Sequence, residues 1–340
     1  MGGATLRDVA ERSGVSVRTV SNVVTGAKPV AEATRVRVQR AVAELNYQPN
    51  VLARSLRSGR SSILGLAVPE LSVPYFAELV GEITDHARSR GYLVMVDQTD
   101  GERSREQQLL ATSSQAQIFD GLIVSALSLT PADLRARDRR VPLVLLGEHL
   151  SDGSFDHVGI DNVAAAREAT AHLVSLGRRR IAAIGDQPYD NGETAQLRLL
   201  GFEQAHRLAG RVLDPCLVVK TRRFHRPLGA AAMAELLDSG QPPDAVFCFN
   251  DLLALGALKE LHRRGIRVPE QIAVVGFDDI EEARYATPAL TTVAPDKTAI
   301  AATAVDLLIS RIRAADAEPP RDVWVGHRLE IRESTVLDSK

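Results

Sequence analysis

Polar residues follow two apolar stretches of the kind that form buried strands. Asn250 and Asp251 come directly after one stretch and start a helical pattern, and Asp278 and Asp279 come after the next. Because open α/β sheets bind ligands beyond the carboxyl ends of their strands, these side chains are candidates for a binding site. Their amides and carboxylates can exchange hydrogen bonds with neighbouring hydroxyls, a chemistry that suits sugars. Helix N-capping is the alternative role, above all for Asp251 and Asp279.

Two aromatic residues lie beyond the first expected strand. Tyr75 and Phe76 follow Pro74, at the expected start of a helix. Their ring faces can stack on a sugar or on a base. Packing of the helix start into the core is the alternative, and the residues alone leave both open.

A second kind of chemistry is indicated near the amino terminus. Arg18 and Asn22 lie one helical turn apart, on the same outward side as Val17 and Ser21. Arginine can hold guanine O6 and N7 together, asparagine can address adenine or a phosphate, and valine can touch a thymine methyl group. The pattern predicts a surface that reads base edges. A plain solvent-facing helix side is the alternative.

Two short helices must position this surface. Thr5 starts a helical pattern with Asp8 three residues later, which is the spacing of a capping box. Gly14 then interrupts the pattern, and Ser16 can cap a second helix. Two short helices that meet at a glycine turn predict a helix-turn-helix, and a third helix over about 32–45 is expected to close its core.

A short amphipathic stretch follows these helices. Asn50 can cap a helix over about 51–58, in which Ala53 and Leu56 share an apolar face beside several arginines. Such a helix is too short to be stable alone. Its composition suits insertion of Leu56 between base pairs from the minor groove. An exposed linker with incidental leucines is the alternative.

The rest of the chain alternates apolar strands with amphipathic helices. This alternation starts near residue 61, restarts near residue 163, and is typical of parallel sheets. We therefore predict two similar lobes, each built on a doubly wound parallel sheet. The expected fold class is an all-α helix-turn-helix head followed by a two-lobed α/β body.

Charge is divided unevenly between these parts. Residues 1–60 hold ten Lys or Arg against four Asp or Glu, a balance of +6, although the whole chain has a net charge of -2. A basic head and an acidic body indicate a polyanion that the head binds and the body repels. Uneven surface charge that arose by chance is the alternative.

Composition argues against several other classes of protein. A hydrophobic fraction of 45% and a charged fraction of 25% are typical of globular domains. Apolar runs fall far short of the roughly 20 residues that cross a bilayer, so no membrane partner is expected. The only cysteines, Cys216 and Cys248, exclude a disulfide framework and favour a reducing, cytoplasmic location.

Motifs of catalysis are missing from the sequence. There is no nucleophile elbow, no H-E-x-x-H pair, no phosphate-binding P-loop and no dinucleotide glycine fingerprint. The eight histidines are scattered and do not form a ligand set. We therefore expect no enzymatic activity, no cofactor and no metal.

The head resembles that of the lactose-repressor/galactose-repressor (LacI/GalR) family of bacterial transcription regulators. The resemblance rests on the run from Thr5 to Val24, on Asn46-Tyr-Gln-Pro-Asn50, and on the stretch that ends Leu56-Arg-Ser-Gly-Arg60. It implies that the second helix reads an operator and that Leu56 enters the minor groove. The full set of expected DNA contacts is Thr5, Ser16, Val17, Arg18, Thr19, Ser21, Asn22, Asn50, Ala53 and Leu56.

Two departures from the family pattern occur in the head. Asn22 stands where many members have arginine, so the operator half-site does not carry over from better-known relatives. Ala31 replaces the usual hydroxyl cap of the third helix, which is expected to weaken that helix by about 1 kcal/mol.

The resemblance extends to the body, since the family's effector domain is similar to periplasmic sugar-binding proteins with two lobes joined by three crossovers. It implies effector contacts from both lobes. Glu148 stands one residue away from a position where many members have aspartate, and it is expected to take that role. The expected effector-binding set is Val73, Tyr75, Phe76, Glu148, Arg198, Phe224, Asn250, Asp251 and Asp278.

These interpretations give three domains. We expect a helix-turn-helix domain at 1–49, a hinge helix and linker at 50–60, and an effector-binding and dimerisation domain at 61–340. Within the last, the first lobe is expected at about 61–160 and 293–320, and the second at about 162–290 and 321–335.

The function expected from all of this is sequence-specific transcription regulation. The chain is expected to bind double-stranded operator DNA as a homodimer and to repress genes of carbohydrate metabolism, under control of a small-molecule effector, a sugar, between the lobes. No leucine heptads follow Ile331, which favours a dimer over a coiled-coil tetramer. An inducer and a corepressor would use the same parts. A solute-binding receptor or a sugar-processing enzyme is the alternative from another class.

Overall fold

The computed structural model describes residues 4–25, 28–47, 61–111, 118–137, 140–148, 153, 155–187, 193–314 and 319–336. The chain divides into two compact units, residues 1–62 and residues 63–340. The hinge helix expected from the sequence, with Asn50, Ala53 and Leu56, lies outside the described residues.

The described part of the first unit holds three helices, α1 Leu6–Ser13, α2 Val17–Thr25 and α3 Glu32–Glu44. Their apolar side chains form one small core. Its buried residues come from all three helices and from the turn after α3: Val9, Ala10, Val20, Val38, Ala41 and Tyr47. Tyr47 was not expected in this core, because it lies beyond the periodic pattern of α3.

The helix ends in the first unit confirm the capping prediction. The Thr5 hydroxyl accepts the Asp8 N–H, and the Asp8 carboxylate accepts the Thr5 N–H at 2.7 Å. Gly14 ends α1 with φ +66°, a left-handed conformation that glycine adopts without strain. Ser16 Oγ accepts the Thr19 N–H at 3.1 Å and so caps α2. Ala31 precedes α3 without any side-chain cap, as the sequence indicated.

The described part of the second unit contains twelve strands, which form two six-stranded sheets. In chain order they are β1 Ile63–Val68, β2 Leu93–Gln98, β3 Gly121–Ser125, β4 Leu143–Leu146, β5 Asp156–Ile160, β6 Ile181–Asp186, β7 Val218–Lys220, β8 Ala245–Cys248, β9 Ala273–Phe277, β10 Thr291–Pro295, β11 Asp322–Val325 and β12 His327–Glu330.

Each sheet belongs to one lobe. The first has the order β11-β5-β4-β3-β1-β2 and is parallel throughout. The second has the order β12-β10-β9-β8-β6-β7 and is parallel except for the antiparallel pair β10-β12. Central strands such as β3 and β9 are buried along their whole length, as expected for sheets covered on both faces. The two-lobed fold class is thereby confirmed.

Helices cover both sheets. In chain order those of the second unit are α4 Pro74–Ser89, α5 Arg103–Ala111, α6 Pro131–Ala136, α7 Asn162–Ser175, α8 Glu193–Leu208, α9 Arg226–Asp238, α10 Asp251–Arg263, α11 Glu281–Tyr285 and α12 Lys297–Arg313. None of the helices in the described ranges is long and apolar enough to cross a membrane.

Between the described strands, the chain passes from one lobe to the other three times: after β5, after β10 and between β11 and β12. The lobe boundaries differ from those expected at 293 and 321. Because β10 pairs with β9 and β11 pairs with β5, the second passage lies at Asp296 and the third at Gly326. The Asp296 N–H donates to the Gly326 carbonyl at 3.1 Å, so these two passages are hydrogen-bonded to each other.

Two glycines allow α9 and α10 to pack with their backbones in contact. A Cβ atom on Gly256 would overlap the carbonyl oxygen of Arg226, and one on Gly229 would overlap the carbonyl oxygen of Leu253. Backbone atoms cannot rotate out of the way as a side chain can. Any side chain at these positions must therefore push the two helices apart.

We expect Gly256→Ala to lower the free energy of unfolding by about 2 kcal/mol or more, the scale of core overpacking. Gly81→Ala is the matched control, because Gly81 is exposed on α4 and an added Cβ would meet no atom within 4 Å. The control should be as stable as the parent or up to about 1 kcal/mol more stable. Urea unfolding measures both, and equal stability of the two variants would contradict the close packing.

Candidate functional site

A cavity of about 430 Å³ lies between the two lobes. Its wall is formed at the carboxyl ends of strands from both sheets, where open α/β folds bind ligands. The volume lies within the range of small-molecule sites. Eight of the nine effector-binding residues expected from the sequence line it: Val73, Tyr75, Phe76, Glu148, Arg198, Phe224, Asn250 and Asp278.

Arg198, on α8, is the most constrained cation of the cavity. It is 7% exposed, its Nε donates to Asn162 Oδ1 at 2.7 Å, and a terminal nitrogen donates to the Phe249 carbonyl. The guanidinium carbon lies 3.5 Å from the ring centroid of Phe277. Burial lowers the pKa of Arg198, while the carboxylate of Asp278 opposes that shift. The guanidinium is therefore held rigidly on the cavity wall.

Asp278 faces Arg198 with 3.9 Å between Oδ1 and the nearest guanidinium nitrogen. Its backbone has φ +117°, a conformation that costs a non-glycine residue on the order of 1 to 3 kcal/mol. The strained backbone is held by the Asp278 N–H, which donates to the Val293 carbonyl at 2.8 Å, and by Lys297 Nζ, which donates to the Asp278 carbonyl at 2.8 Å. These hydrogen bonds hold Asp278 in the conformation that places it on the cavity wall.

Burial raises the pKa of Asp278 to about 7, against the attraction of Arg198 and Lys297. A carboxyl group whose pKa is higher in the folded chain than in the unfolded one stabilises the fold only while it is protonated. That stabilisation is complete below the ordinary pKa of 3.8 and is lost as pH rises through about 7. Stability should therefore fall with pH over this window.

We expect wild-type protein to lose about 3 kcal/mol of unfolding free energy between pH 5 and pH 8 through this one group. Asp278→Asn removes the titrating group. Between pH 5 and pH 8, the unfolding free energy of the variant should therefore rise relative to that of wild type by the same amount. Asp85→Asn, at an exposed position of α4, is the control. Urea unfolding at the two pH values measures the effect, and a pH-independent difference for Asp278→Asn would contradict it.

A hydrogen-bond chain connects the two lobes across the cavity. Glu148, which follows β4 of the first lobe, accepts hydrogen bonds from Asn162 Nδ2 and, at 2.7 Å, from the Thr194 hydroxyl. Asn162 in turn accepts the Nε–H of Arg198. Asn162 and Thr194 were missed by the sequence analysis, although Asn162 directly follows the first passage between the lobes.

Aromatic side chains flank the polar groups. Tyr75 and Phe76 from the start of α4 meet edge to face, with ring centroids 5.4 Å apart, and Phe224 faces the cavity from the second lobe. Burial raises the pKa of the Tyr75 phenol. Tyr75 and Phe76 pack against the core, as one interpretation had it, and they also line the cavity, where stacking on a ligand stays a prediction.

Asn250 and Asp251 differ in position although they are neighbours. Asn250 lines the cavity and also caps α10 through the Leu253 N–H at 2.9 Å, so the alternative role of helix capping is present here as well. Asp251 does not line the cavity, so its inclusion in the expected effector-binding set was wrong. It is fully buried beneath the wall, where its oxygens accept the Thr292 hydroxyl at 2.6 Å and the Ile280 N–H at 3.0 Å.

Glu70 and His225 close the rim of the cavity. Glu70 follows β1 in the first lobe, and its carboxylate lies 3.2 Å from Nε2 of His225 in the second lobe. Both residues line the cavity. No sequence pattern indicates this pair, because the two residues are far apart in the chain and lie in different lobes.

The head presents a separate candidate nucleic-acid surface. Arg18 is exposed near the start of α2, and Asn22 is half-buried one turn further on. Val17 is also half-buried and packs partly against the helical core. Thr5 and Ser16 are exposed, although both hydroxyl groups also cap helices. Arg18 therefore has the freest position for base contacts among these residues.

Metal-ligating side chains do not cluster in the described segments, where no group of three or more His, Cys, Asp or Glu could hold an ion. The cavity wall instead offers hydrogen-bonding and aromatic groups. A helix-turn-helix head and a two-lobed body with a ligand-sized cavity define the class of protein: a DNA-binding regulator with an effector-binding domain.

Comparison with known families and relatives supports this class. The family of bacterial regulatory proteins named lacI matches residues 5–50, and the periplasmic binding protein-like domain family matches residues 170–335. The transcriptional repressor PurR of Aliivibrio fischeri is 33% identical over 319 residues, 93% of this chain and 94% of PurR. CytR of Escherichia coli is 33% identical over 312 residues, 91% of this chain and 90% of CytR. The chain belongs to the LacI family of bacterial transcription regulators.

Solved structures agree. A LacI-family regulator from Sanguibacter keddieii is 44% identical, with a TM-score of 0.75 over 81% of this chain and 99% of its own. A complex of the regulator CelR with cellobiose is 34% identical, with a TM-score of 0.72 over 97% and 99% of the two chains. The lac repressor dimer bound to operator is 29% identical, with a TM-score of 0.85 over 98% and 100%. The chain is thus a DNA-binding transcriptional repressor with an effector-binding domain, and its relatives PurR and CytR are transcriptional repressors.

Proposed function

We propose that this repressor binds a pseudo-palindromic operator as a homodimer and that a sugar bound between its lobes controls the binding. The observation that carries the proposal is the pair formed by Arg198 and Asp278, which face each other across the wall of one cavity. The regulated genes are those of carbohydrate metabolism.

The chemistry of the cavity supports a sugar. Neighbouring hydroxyl groups of a sugar both donate and accept, so a carboxylate and a guanidinium side by side can bind two of them together. The apolar face of a sugar ring can rest on Tyr75, Phe76 or Phe224. The similar regulator CelR is known in complex with cellobiose, which supports the same ligand class here.

Coupling between cavity and operator requires two arrangements of the lobes. The chain Glu148–Asn162–Arg198 joins both lobes, so a ligand that contacts Arg198 changes how the first lobe is held. A ligand shifts the equilibrium only by its difference in affinity for the two arrangements, usually about 1 to 3 kcal/mol. The proposed hinge residues Asn50, Ala53 and Leu56 transmit this difference to the head.

The dimer contact involves the outer edge of the first sheet. The edge strand β2 leaves Leu93 and Met95 exposed, at 58% and 50%, and in the second lobe Tyr285 is 78% exposed. An edge strand with large apolar side chains is normally covered by a partner. A two-fold axis would place the same surface of a second copy against it.

We expect Met95→Glu to dissociate the dimer, because the substitution places a charge in an apolar contact. Sedimentation of the variant should give the mass of one chain where wild type gives two. Val212→Glu is the control, since Val212 is 96% exposed and lies in the second lobe, between α8 and β7. A wild-type protein that sediments as one chain at micromolar concentration would contradict the homodimer.

The operator is tested by selecting bound duplexes from a random library with the full-length chain. Two related half-sites in opposite orientation are expected, with affinity that falls steeply as salt concentration rises. A panel of mono- and disaccharides is then screened for a change in affinity of the selected duplex. Selected duplexes that share no common sequence would contradict operator binding. An affinity that no saccharide of the panel changes would contradict a sugar effector.

A further inference from the structure

The charged groups on the cavity wall differ in whether they already have a partner inside the protein. The carboxylates of the wall belong to Glu70, Asp100, Glu102, Glu148 and Asp278, and its cations are Arg198, Arg222, Arg223 and His225. Which of these groups already has a partner inside the protein decides what charge a ligand can meet.

Every one of the five carboxylates has a protein partner. Glu70 pairs with His225 at 3.2 Å, and both Asp100 and Glu102 pair with Arg105. Glu148 accepts hydrogen bonds from Asn162 and Thr194. Asp278 faces the guanidinium of Arg198. Each carboxylate of the wall is therefore already engaged within the protein.

Arg222 and Arg223 are the exception. Both are exposed, and in the described parts of the chain neither makes a hydrogen bond or an ion pair. They follow Lys220 at the carboxyl end of β7, on the side of the sheet where ligands bind, and they precede Phe224 on the same wall. Two adjacent guanidinium groups present up to ten N–H donors and no acceptor, the pattern that binds phosphate or carboxylate.

We infer that Arg222 and Arg223 form a subsite for an oxyanion, so that the effector is a sugar derivative bearing a phosphate ester or a carboxylate. This inference rests on the proposed function, since it specifies the ligand of the same cavity. Arg198 and Asp278 hold the hydroxyl groups of the ligand, and the arginine pair holds its charged end.

The oxyanion subsite is tested first without any sugar. Thermal midpoints of full-length protein are measured in inorganic phosphate and in chloride at equal ionic strength, for wild type and for Arg222→Gln/Arg223→Gln. Phosphate should raise the midpoint of wild type and leave the double variant unchanged, because only a ligand that prefers the folded state stabilises it. Arg179→Gln, which removes an exposed arginine away from the cavity, should respond like wild type. An equal phosphate response in wild type and double variant would overturn the subsite.

The second arm uses calorimetry with aldoses, each compared with its phosphate monoester and its uronic acid. One anionic form should bind about tenfold more tightly than its neutral parent, and the double variant should lose this preference, as removal of a charged hydrogen bond predicts. Which of the two forms gains affinity distinguishes phosphate from carboxylate. Equal affinity of neutral and anionic forms would overturn the inference. A phosphate response without binding of any sugar would uphold the subsite and contradict the sugar effector of the proposed function.

Discussion

Arg198→Met is expected to abolish the response of the repressor to its effector while leaving the effector-free protein bound to its operator. Arg198 donates to Asn162 and to the Phe249 carbonyl, lies over Phe277 and faces Asp278. Methionine retains the length of the side chain but none of the donors. The substitution also leaves the buried carboxyl of Asp278 without its cation, which lowers folding stability. A ligand loses the hydrogen bonds of the guanidinium, and one hydrogen bond to a charged group contributes about 1.5 to 3 kcal/mol.

Effector affinity should therefore fall by about 10-fold to 200-fold for each hydrogen bond lost. The measurement is a titration of the operator complex with the sugar identified by the panel, followed by fluorescence anisotropy of the duplex. Arg207→Met, at an exposed position near the end of the same helix, is the matched control and should titrate like wild type. A wild-type titration curve for Arg198→Met would remove this residue from the effector site.

Arg18→Ala should cause the largest loss on the DNA side. Arg18 is exposed near the start of α2, where the second helix of a helix-turn-helix reaches base edges. A bidentate contact with guanine contributes about 1 to 3 kcal/mol of discrimination, and a homodimer makes the contact twice. Operator affinity should fall by about 30-fold or more, and the preference for one base pair in each half-site should disappear.

The discriminating measurement is a set of operator variants with each base pair of the half-site changed in turn. With Arg18→Ala, one position should become indifferent while the others keep their preferences. Arg37→Ala removes the same charge from an exposed position of α3 and should leave every base preference unchanged. Retention of the full wild-type preference pattern by Arg18→Ala would place base reading elsewhere.

Local patterns were sufficient for much of the molecule. The capping box at Thr5 and the turn at Gly14 were predictable because each involves residues a few positions apart. The position of Asn250 and Asp278 on the cavity wall was predictable, because parallel strands bring their carboxyl ends to one edge of the sheet. Their contacts with a ligand stay predictions.

The errors share a physical cause, since each concerns contacts between distant segments. Asp251 follows a strand as Asn250 does, but its carboxyl turns under the sheet to Thr292. Strand β11 joins the first sheet, although the sequence around it indicated the second lobe. The chain from residue 291 onward also supplies β10, α12 and β12, which the alternation ending near residue 277 did not indicate. Pairing partners this far apart leave no periodic signal.

The hydrogen bond between Asp296 and Gly326 has a mechanical consequence. Two of the three connections are hydrogen-bonded side by side, so a displacement of one is passed to the other. Short connections that move together favour hinge rotation of the lobes over sliding of one lobe past the other. We therefore expect ligands of different shape to differ chiefly in the opening angle that they impose on the cleft.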